Sequence, residues 1–353
     1  NINIQEFARS LSEHLQNDST QLASLPNLMP DRTVAPLDTP FVALTIGGSV
    51  LQKATCTFTS EGLVMTHQTK ASIPPLTNAT ELCALIQPHI DSDTDLIAIN
   101  FSFPLESCRN VAGFLDGKLL RATKSHSLKD LVGVYVGELI QSYLKERLER
   151  DIAVTIAHDA TCLMLAGLPH VSRDNPIVAG VVGTGMNFSL YDTETRQVIN
   201  LESGNFHDFS LPATTQMIDS TSNNLSQQLL EKSVSGAYLY QHYNILATDQ
   251  NLPDISTTEE LSLLAAREDN SSECNLANSI LNMSAQLVGG HIVALYRALH
   301  TSQLSVIMEG SLFWEGHGYF ATVQETMQKL DVNPESVTFT RVSDSSLIGA
   351  AYL

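Results

Sequence analysis

The sequence predicts an α/β protein of two domains, and three observations carry that expectation. The chain is 353 residues long, which suits two domains of moderate size, each with its own core. Strand-like and helix-like segments alternate through most of it, the pattern of α/β layering. Three apolar strands end in small-residue turns, at Gly47-Gly48-Ser49, Gly183-Thr184-Gly185 and Gly310-Ser311, and recur at long spacing.

Each element has its own signal. Ile4, Phe7, Ala8, Leu11 and Leu15 repeat at helical spacing. The Pro-containing stretch 25–40 reads as an extended linker. Phe41–Ile46 is an apolar strand, and 54–59 and 62–67 continue it as a meander through the Glu61-Gly62 turn. Residues 96–102 form an apolar run closed by Phe103-Pro104, the length of a buried strand. Leu128, Leu131, Val132, Tyr135, Leu139 and Leu144 predict an amphipathic helix over 128–148. A buried strand at 152–157 ends at His158-Asp159, and a helix over 161–168 follows. The strand 177–182, helices over 225–243 and 277–299, the strand 305–308, a helix over 319–330, a strand over 337–341 and a final helix over 346–353 complete the alternation.

Composition narrows the function. With 19 Lys and Arg against 38 Asp and Glu, the net charge is −19, and no basic run exists, so nucleic acid is a poor partner. Phosphate would have to be held locally, by backbone N–H groups, a few cations or a metal. No run of 18 apolar residues predicts a transmembrane helix, and residues 1–10 lack a signal-peptide pattern, so a cytoplasmic protein without membrane partner is expected. The five cysteines contain no CxxC and read as reduced packing residues; the eleven histidines contain no HExxH, and no metal ligands are assigned.

Phosphoryl transfer to a hydroxyl needs a base, a phosphate cradle and a metal that spreads charge. Glycine turns after strands supply cradles, although each of these turns, taken alone, is more often a plain tight turn. A GxxxxGK[ST] is absent, which excludes a P-loop enzyme, and the missing GxGxxG weakens a Rossmann dehydrogenase. Asp159, before a helix, reads as an N-cap or as a base. Glu231, on a helix, reads as a solvated charge or a ligand contact.

The order of segments resembles the hexokinases of the sugar kinase, heat-shock protein 70 and actin superfamily. A strand like FLALDLGGT is Phe41-Val-Ala-Leu-Thr-Ile-Gly-Gly-Ser49, and FSFP followed by WTK is Phe101-Ser-Phe-Pro104 and Ala122-Thr-Lys124. The NDT turn is His158-Asp159-Ala160, VGTGxN is Val182–Asn187, and INMEWGAF is Ile199–Phe206. The EKMISGMYLGE helix start is Glu231–Tyr240, DGS is Glu309-Gly-Ser311, and GAAL closes as Gly349-Ala-Ala351. The resemblance runs from about residue 40 to the C-terminus, with Leu25-Pro26 at the family's LP linker. The chain is shorter than most members, chiefly between Tyr240 and Ala277.

The resemblance implies two actin-like (ribonuclease H-like) domains with a ligand cleft between them, which close around a sugar. A small domain spans 40–157 with the C-terminal helix 344–353 packed on it, and a large one spans 1–30 and 160–340. The implied activity, a step of glycolysis, is ATP- and Mg²⁺-dependent phosphorylation of a hexose, glucose by default, at the 6-hydroxyl, with Asp159 as general base. Ser102, Phe103, Pro104, Thr123, Lys124, His158, Asn187, Glu202 and Glu231 would bind the sugar. Gly47, Gly48, Ser49, Gly183, Thr184, Gly185, Gly310 and Ser311 would bind the nucleotide. The departures are Thr45 where the family has the Asp that orders the metal, Val50-Leu51-Gln52 and Lys53 after the first turn, His158 for Asn, Ala122 for Trp, and Ser203-Gly204 for Trp-Gly. They support two alternatives: a weakened hexokinase-like sugar sensor or regulator, and a kinase of another polyol or amino sugar.

Overall fold

The computed structural model describes residues 2–17, 21–31, 35–121, 126–267 and 269–353. From the N-terminus run α1 (Ile4–Gln16), β1 (Leu25–Leu28), β2 (Phe41–Ile46), β3 (Val50–Thr59), β4 (Gly62–Ser72), α2 (Ala79–Ile86), β5 (Leu96–Phe101), β6 (Leu105–Arg109), β7 (Leu115–Leu119), α3 (Val136–Leu148), β8 (Ala153–His158) and α4 (Asp159–Gly167). Then come β9 (Ile177–Val182), β10 (Met186–Asp192), β11 (Gln197–Asn200), α5 (Ala213–Ser220), α6 (Leu229–Val234), α7 (Gly236–Asp249), α8 (Thr258–Ala265), α9 (Ser272–Ala298), β12 (Leu304–Glu309), α10 (Ser311–Glu315), α11 (Tyr319–Lys329), β13 (Val337–Arg341) and α12 (Ser345–Ala351). The chain divides into two compact units. The first comprises Asn1–Ser24, Val171–Leu190 and Asn200–Arg341, and the second Leu25–His170, Tyr191–Ile199 and Val342–Leu353.

The second unit is built on the sheet β4-β3-β2-β5-β8. The meander β2-β3-β4 is antiparallel, while β2, β5 and β8 are parallel. All six residues of β2 and of β5 are buried, so both sheet faces are covered. Alternation divides them: Val42, Leu44 and Ile46 join Ile97, Ile99, Ile140 and Leu144 on one face, with α3. Phe41, Ala43, Ala98 and Ala157 meet Cys162 of α4 and Leu347, Ala350 and Ala351 of α12 on the other. In the first unit β10, β9, β12 and β13 lie side by side in that order, with β12 parallel to both β9 and β13. The long helix α9 packs against α1 and α11.

Most predicted elements appear near their expected bounds, and three differ. The stretch 25–40 is not wholly extended linker, because Leu25–Leu28 forms a strand. The helix expected over 128–148 begins only at Val136. Leu128 and Leu131 are buried as their periodicity implies, but Gly133 turns the chain at φ +83, and the buried carboxylate of Asp116 in β7 accepts the N–H groups of Gly137 and Glu138, closing the helix N-terminus there. The helix expected over 225–243 splits into α6 and α7 at Ser235, where the Gly236 N–H donates to the Gly183 carbonyl at 2.7 Å.

Candidate functional site

In the second unit, three of the sequence-predicted segments come together at one end of the sheet's parallel strands. Ile46 pairs with Phe101, and Phe101 with His158, so one row of the parallel ladder joins the ends of β2, β5 and β8. The turn 47–49, the segment 102–104 and Asp159 each follow that row directly. Ligands of open α/β sheets bind beyond the carboxyl ends of strands, because side chains and loop N–H groups converge there. The Ser102 N–H donates to the Ile46 carbonyl at 3.1 Å, joining the first two segments. Phe103 and Pro104 are buried, and Phe103 packs on Phe101 at 4.6 Å between ring centroids; Ser102 is half-buried. Thr123 and Lys124 lie outside the described residues.

Asp159 opens α4 as its first residue; the cap is His158. The His158 Nδ1 lies 3.3 Å from the Ala160 N–H and 3.1 Å from the Asp159 Oδ1. As an acceptor it caps the helix. As an Nδ1–H it donates to the carboxylate instead, and the ring cannot do both with one nitrogen. The Asp159 side chain is 37% exposed, so its carboxylate faces solvent while its neighbour is buried.

Thr45 sits one residue before the row. Its Oγ1 is buried with no hydrogen-bond partner, and so is the Oδ1 of Asn100, its register neighbour in β5. Gln52 stands opposite Thr45 in β3, and Lys53 is engaged with Asp91 at 3.2 Å. Among the described residues no group of three or more His, Cys, Asp and Glu gathers to hold a metal.

In the first unit the polar residues interlock. The Asn187 Oδ1 accepts the N–H groups of Phe188 (2.8 Å) and Ser203 (3.1 Å), and its Nδ2 donates to the Asn200 Oδ1 at 2.7 Å. Asn200 in turn donates to the Glu202 Oε1 at 2.9 Å and accepts the Glu202 N–H at 3.2 Å. Glu202 is held at φ +49, a left-handed conformation uncommon for a side-chain-bearing residue. Glu231 receives the Met186 N–H at 3.0 Å, and a Cβ added at Gly185 would lie 3.0 Å from its Oε2. It is thus half-buried against the 183–186 turn, not a solvated charge.

Behind Glu231 lies a pair that the sequence did not signal. Lys232 is fully buried, and its ammonium donates to Asp219 (2.6 Å), Ser222 Oγ (2.9 Å) and the Asn224 carbonyl (2.9 Å). Asp219 also accepts the Ser226 N–H. Burial would raise the Asp219 carboxyl, but the Lys232 hydrogen bond and the Ser226 N–H outweigh it and hold the group below the usual carboxylate range. The pair ties down the loop that leads into α6.

The two glycine turns of this unit close on each other at the ends of neighbouring strands. Gly310 adopts φ +116, and a Cβ there would stand 2.1 Å from the Val182 carbonyl oxygen, so only glycine fits. Gly183 passes 3.3 Å, measured from the position of an added Cβ, from the Gly310 Cα. Thr184 and Ser311 are exposed beside them. Stripped backbone of this kind lets N–H groups approach a phosphate, so the turns fit a nucleotide.

Two family models, both described as hexokinase, match the chain, one over residues 3–168 and the other over 177–247 and 241–353. The chain belongs to the hexokinase family. Relatives include a hexokinase-1 of Spinacia oleracea, 32% identical over 159 residues, which are 40% of this chain and 30% of that protein. A glucokinase of Aspergillus niger is 25% identical over 292 residues, 67% of this chain and 58% of that protein. The chain thus spans between about a third and three fifths of the length of these curated relatives. Among solved structures, the hexokinase from Schistosoma mansoni complexed with glucose matches with a TM-score of 0.78 at 18% identity, over 99% of this chain and 94% of that one. A ROK family glucokinase from Streptomyces griseus in complex with glucose and AMPPNP matches at 0.60 and 15%, over 88% and 98%. Identities this low speak to the fold alone, and the fold is the expected actin-like α/β architecture of two domains.

Proposed function

We propose that the chain is a hexose kinase that transfers the γ-phosphoryl group of ATP to the 6-hydroxyl of a hexose, with glucose as the default substrate. The observation that carries this reading is the single ladder row Ile46–Phe101–His158, which sets a glycine turn, a polar-aromatic segment and a carboxylate side by side at the strand ends. In this reading Asp159 accepts the proton of the 6-hydroxyl as its oxygen bonds to the γ-phosphorus and the bond to the departing ADP oxygen breaks. Asn187, Glu202 and Glu231 are the ring-hydroxyl ligands of the first unit, since carboxylates and amides can each hold two neighbouring hydroxyls, and Ser102, Thr123 and Lys124 are the sugar ligands of the second. His158 orients the carboxylate beside it. Gly47–Ser49, Gly183–Gly185, Gly310 and Ser311 take the nucleotide, whose Mg²⁺ supplies neutralisation of the phosphate charge.

The family membership supports the reaction class. The substrate rests on the polar set of the first unit, and ATP on the glycine turns. A coupled assay with a panel of hexoses, ATP and several divalent metals tests the proposal; turnover above a heat-killed control is expected, greatest with glucose. No turnover at high enzyme concentration would overturn it. One observation favours a second reading, a sugar-binding sensor. Thr45 offers a buried neutral hydroxyl where the resemblance expects a carboxylate. Glucose binding in calorimetry without any ATP binding or turnover would select that reading.

A further inference from the structure

His126 touches three segments of the second unit at once. It is 6% exposed. Its Nδ1 accepts the Leu76 N–H at 2.8 Å, and its Nε2 lies 2.8 Å from the Gly48 carbonyl oxygen. An amide N–H only donates and a carbonyl only accepts, so the two bonds together require the neutral Nε2–H tautomer, with Nε2–H donating to Gly48. The ring also meets Phe103 edge-on at 5.4 Å between centroids. One side chain thus joins the turn after β2, the segment after β5 and the stretch leading from β4 into α2.

The consequence lies in the Gly48–Ser49 peptide. A trans peptide directs its C=O and N–H to opposite sides. A ring that holds the Gly48 carbonyl therefore aims the Ser49 N–H away from itself. Two further bonds hold the turn at its two ends: the Gly47 N–H on the Val50 carbonyl and the Ile73 N–H on the Ser49 carbonyl, both at 2.9 Å. Neither bond involves the Gly48–Ser49 peptide, whose carbonyl His126 holds, and a phosphate receives help only from an N–H that faces it. We propose that His126 is a positioning residue for the nucleotide: it sets the Gly48–Ser49 peptide so that the Ser49 N–H is presented to a phosphate, and it ties that turn to the sugar segment through Phe103. The inference rests on the reading of Gly47–Ser49 as the nucleotide turn.

Two variants separate the ring from its hydrogen bonds. His126→Phe keeps an aromatic edge against Phe103 and removes both bonds, whereas His126→Gln can still accept from Leu76 and donate to Gly48. Hydrogen exchange at the Leu76 amide, followed on the full chain without ligand, reads the bond itself; calorimetry with Mg²⁺–AMPPNP and with glucose reads its effect. In His126→Phe the Leu76 amide should exchange at least about ten-fold faster and AMPPNP should bind about ten-fold more weakly, the scale of a lost buried hydrogen bond. Glucose affinity should stay within about three-fold, and His126→Gln should recover most of the nucleotide affinity. A His126→Phe variant with faster Leu76 exchange and unchanged AMPPNP affinity would overturn the positioning role while leaving the turn's assignment standing. Equal losses for glucose and AMPPNP in both variants would reduce His126 to packing and overturn it as well. If the unsubstituted chain binds no AMPPNP, the assignment of the turn fails first, and the proposal with it.

Discussion

The candidate sugar residues Asn187 and Glu202 of the first unit are hydrogen-bonded into one network through Asn200, while the polar residues at the strand ends of the second unit are largely neutral and, at Thr45 and Asn100, carry buried oxygens without partners. Three carboxylates of the first unit are anchored: Glu202 through Asn200 and Asn187, Glu231 through the Met186 N–H, Asp219 through Lys232. The difference matches the roles that the proposed function gives the two regions. Recognising neutral hydroxyls takes fixed acceptors and donors at fixed positions, and a half-buried carboxylate stays fixed only if its own environment is satisfied. Receiving a phosphate takes exposed N–H groups and space, which glycine turns supply without charge. The departures from the hexokinase pattern follow the same division. The carboxylates that the proposal gives to the sugar, Glu202 and Glu231, are kept; where the resemblance expects a phosphate-side carboxylate, this chain has Thr45.

The largest expected effect tests the one carboxylate of the second unit to which this reading gives a chemical role. Asp159→Asn should leave sugar affinity within a few-fold, since an amide still hydrogen-bonds a hydroxyl, and lower turnover by about 10²–10⁴, the usual worth of a general base. Steady-state rates beside calorimetry measure both. Full activity in the variant would show that the base lies elsewhere.

A middle-sized effect tests the anchoring of the first unit. Lys232→Met leaves Asp219 without its cation and should cost about 3 kcal/mol of stability in urea unfolding at neutral pH. The sign with pH follows from the depressed Asp219 carboxyl. Its stabilisation is full above the unfolded-state value of about 3.9 and is lost as pH falls through the lower folded-state value. The gap between Lys232→Met and the unsubstituted chain should therefore narrow as pH drops below about 4. A gap that stays constant down to pH 2 would mean that Lys232 acts by packing alone.

The smallest effect sharpens the contrast at Thr45. Thr45→Asp would place a carboxylate one residue before the ladder row and should raise turnover or Mg²⁺ affinity a few-fold, with glucose binding unchanged. A folded variant that is slower would show that repulsion between the new charge and the phosphates prevails, and that this chain holds its metal another way.

The strands and their glycine turns were legible because their signals are local. A strand buried on both faces must be a continuous apolar run, and the turn that ends it must be small, so β2 and β9 fall on their expected residues. The hairpin β6–β7 was missed: its strands are short, and Glu106, Asp116 and Lys118 interrupt their apolar residues. Leu128 and Leu131 show where periodicity misleads. Both are buried as read, yet the helix starts at Val136 because its capping carboxylate, Asp116, comes from a strand some twenty residues earlier. Asp159, Glu202 and Glu231 were found through the order of motifs, which a family shares. His126 and Lys232–Asp219 left no such trace, since a lone histidine in a polar loop and a lysine on a helix look like surface residues.

The sequence by itself determined the α/β alternation, the glycine turns and the family, and it nominated the candidate base and sugar contacts. All of these depend on residue type, short-range period or motif order. Only the tertiary structure decided which strand ends share one row, which tautomer His126 adopts and which buried charge is paired. Those depend on groups far apart in the chain, such as Gly48, Leu76 and His126, whose meeting no local period encodes. A hydrogen bond between them exists only once the fold has excluded water and brought donor to acceptor.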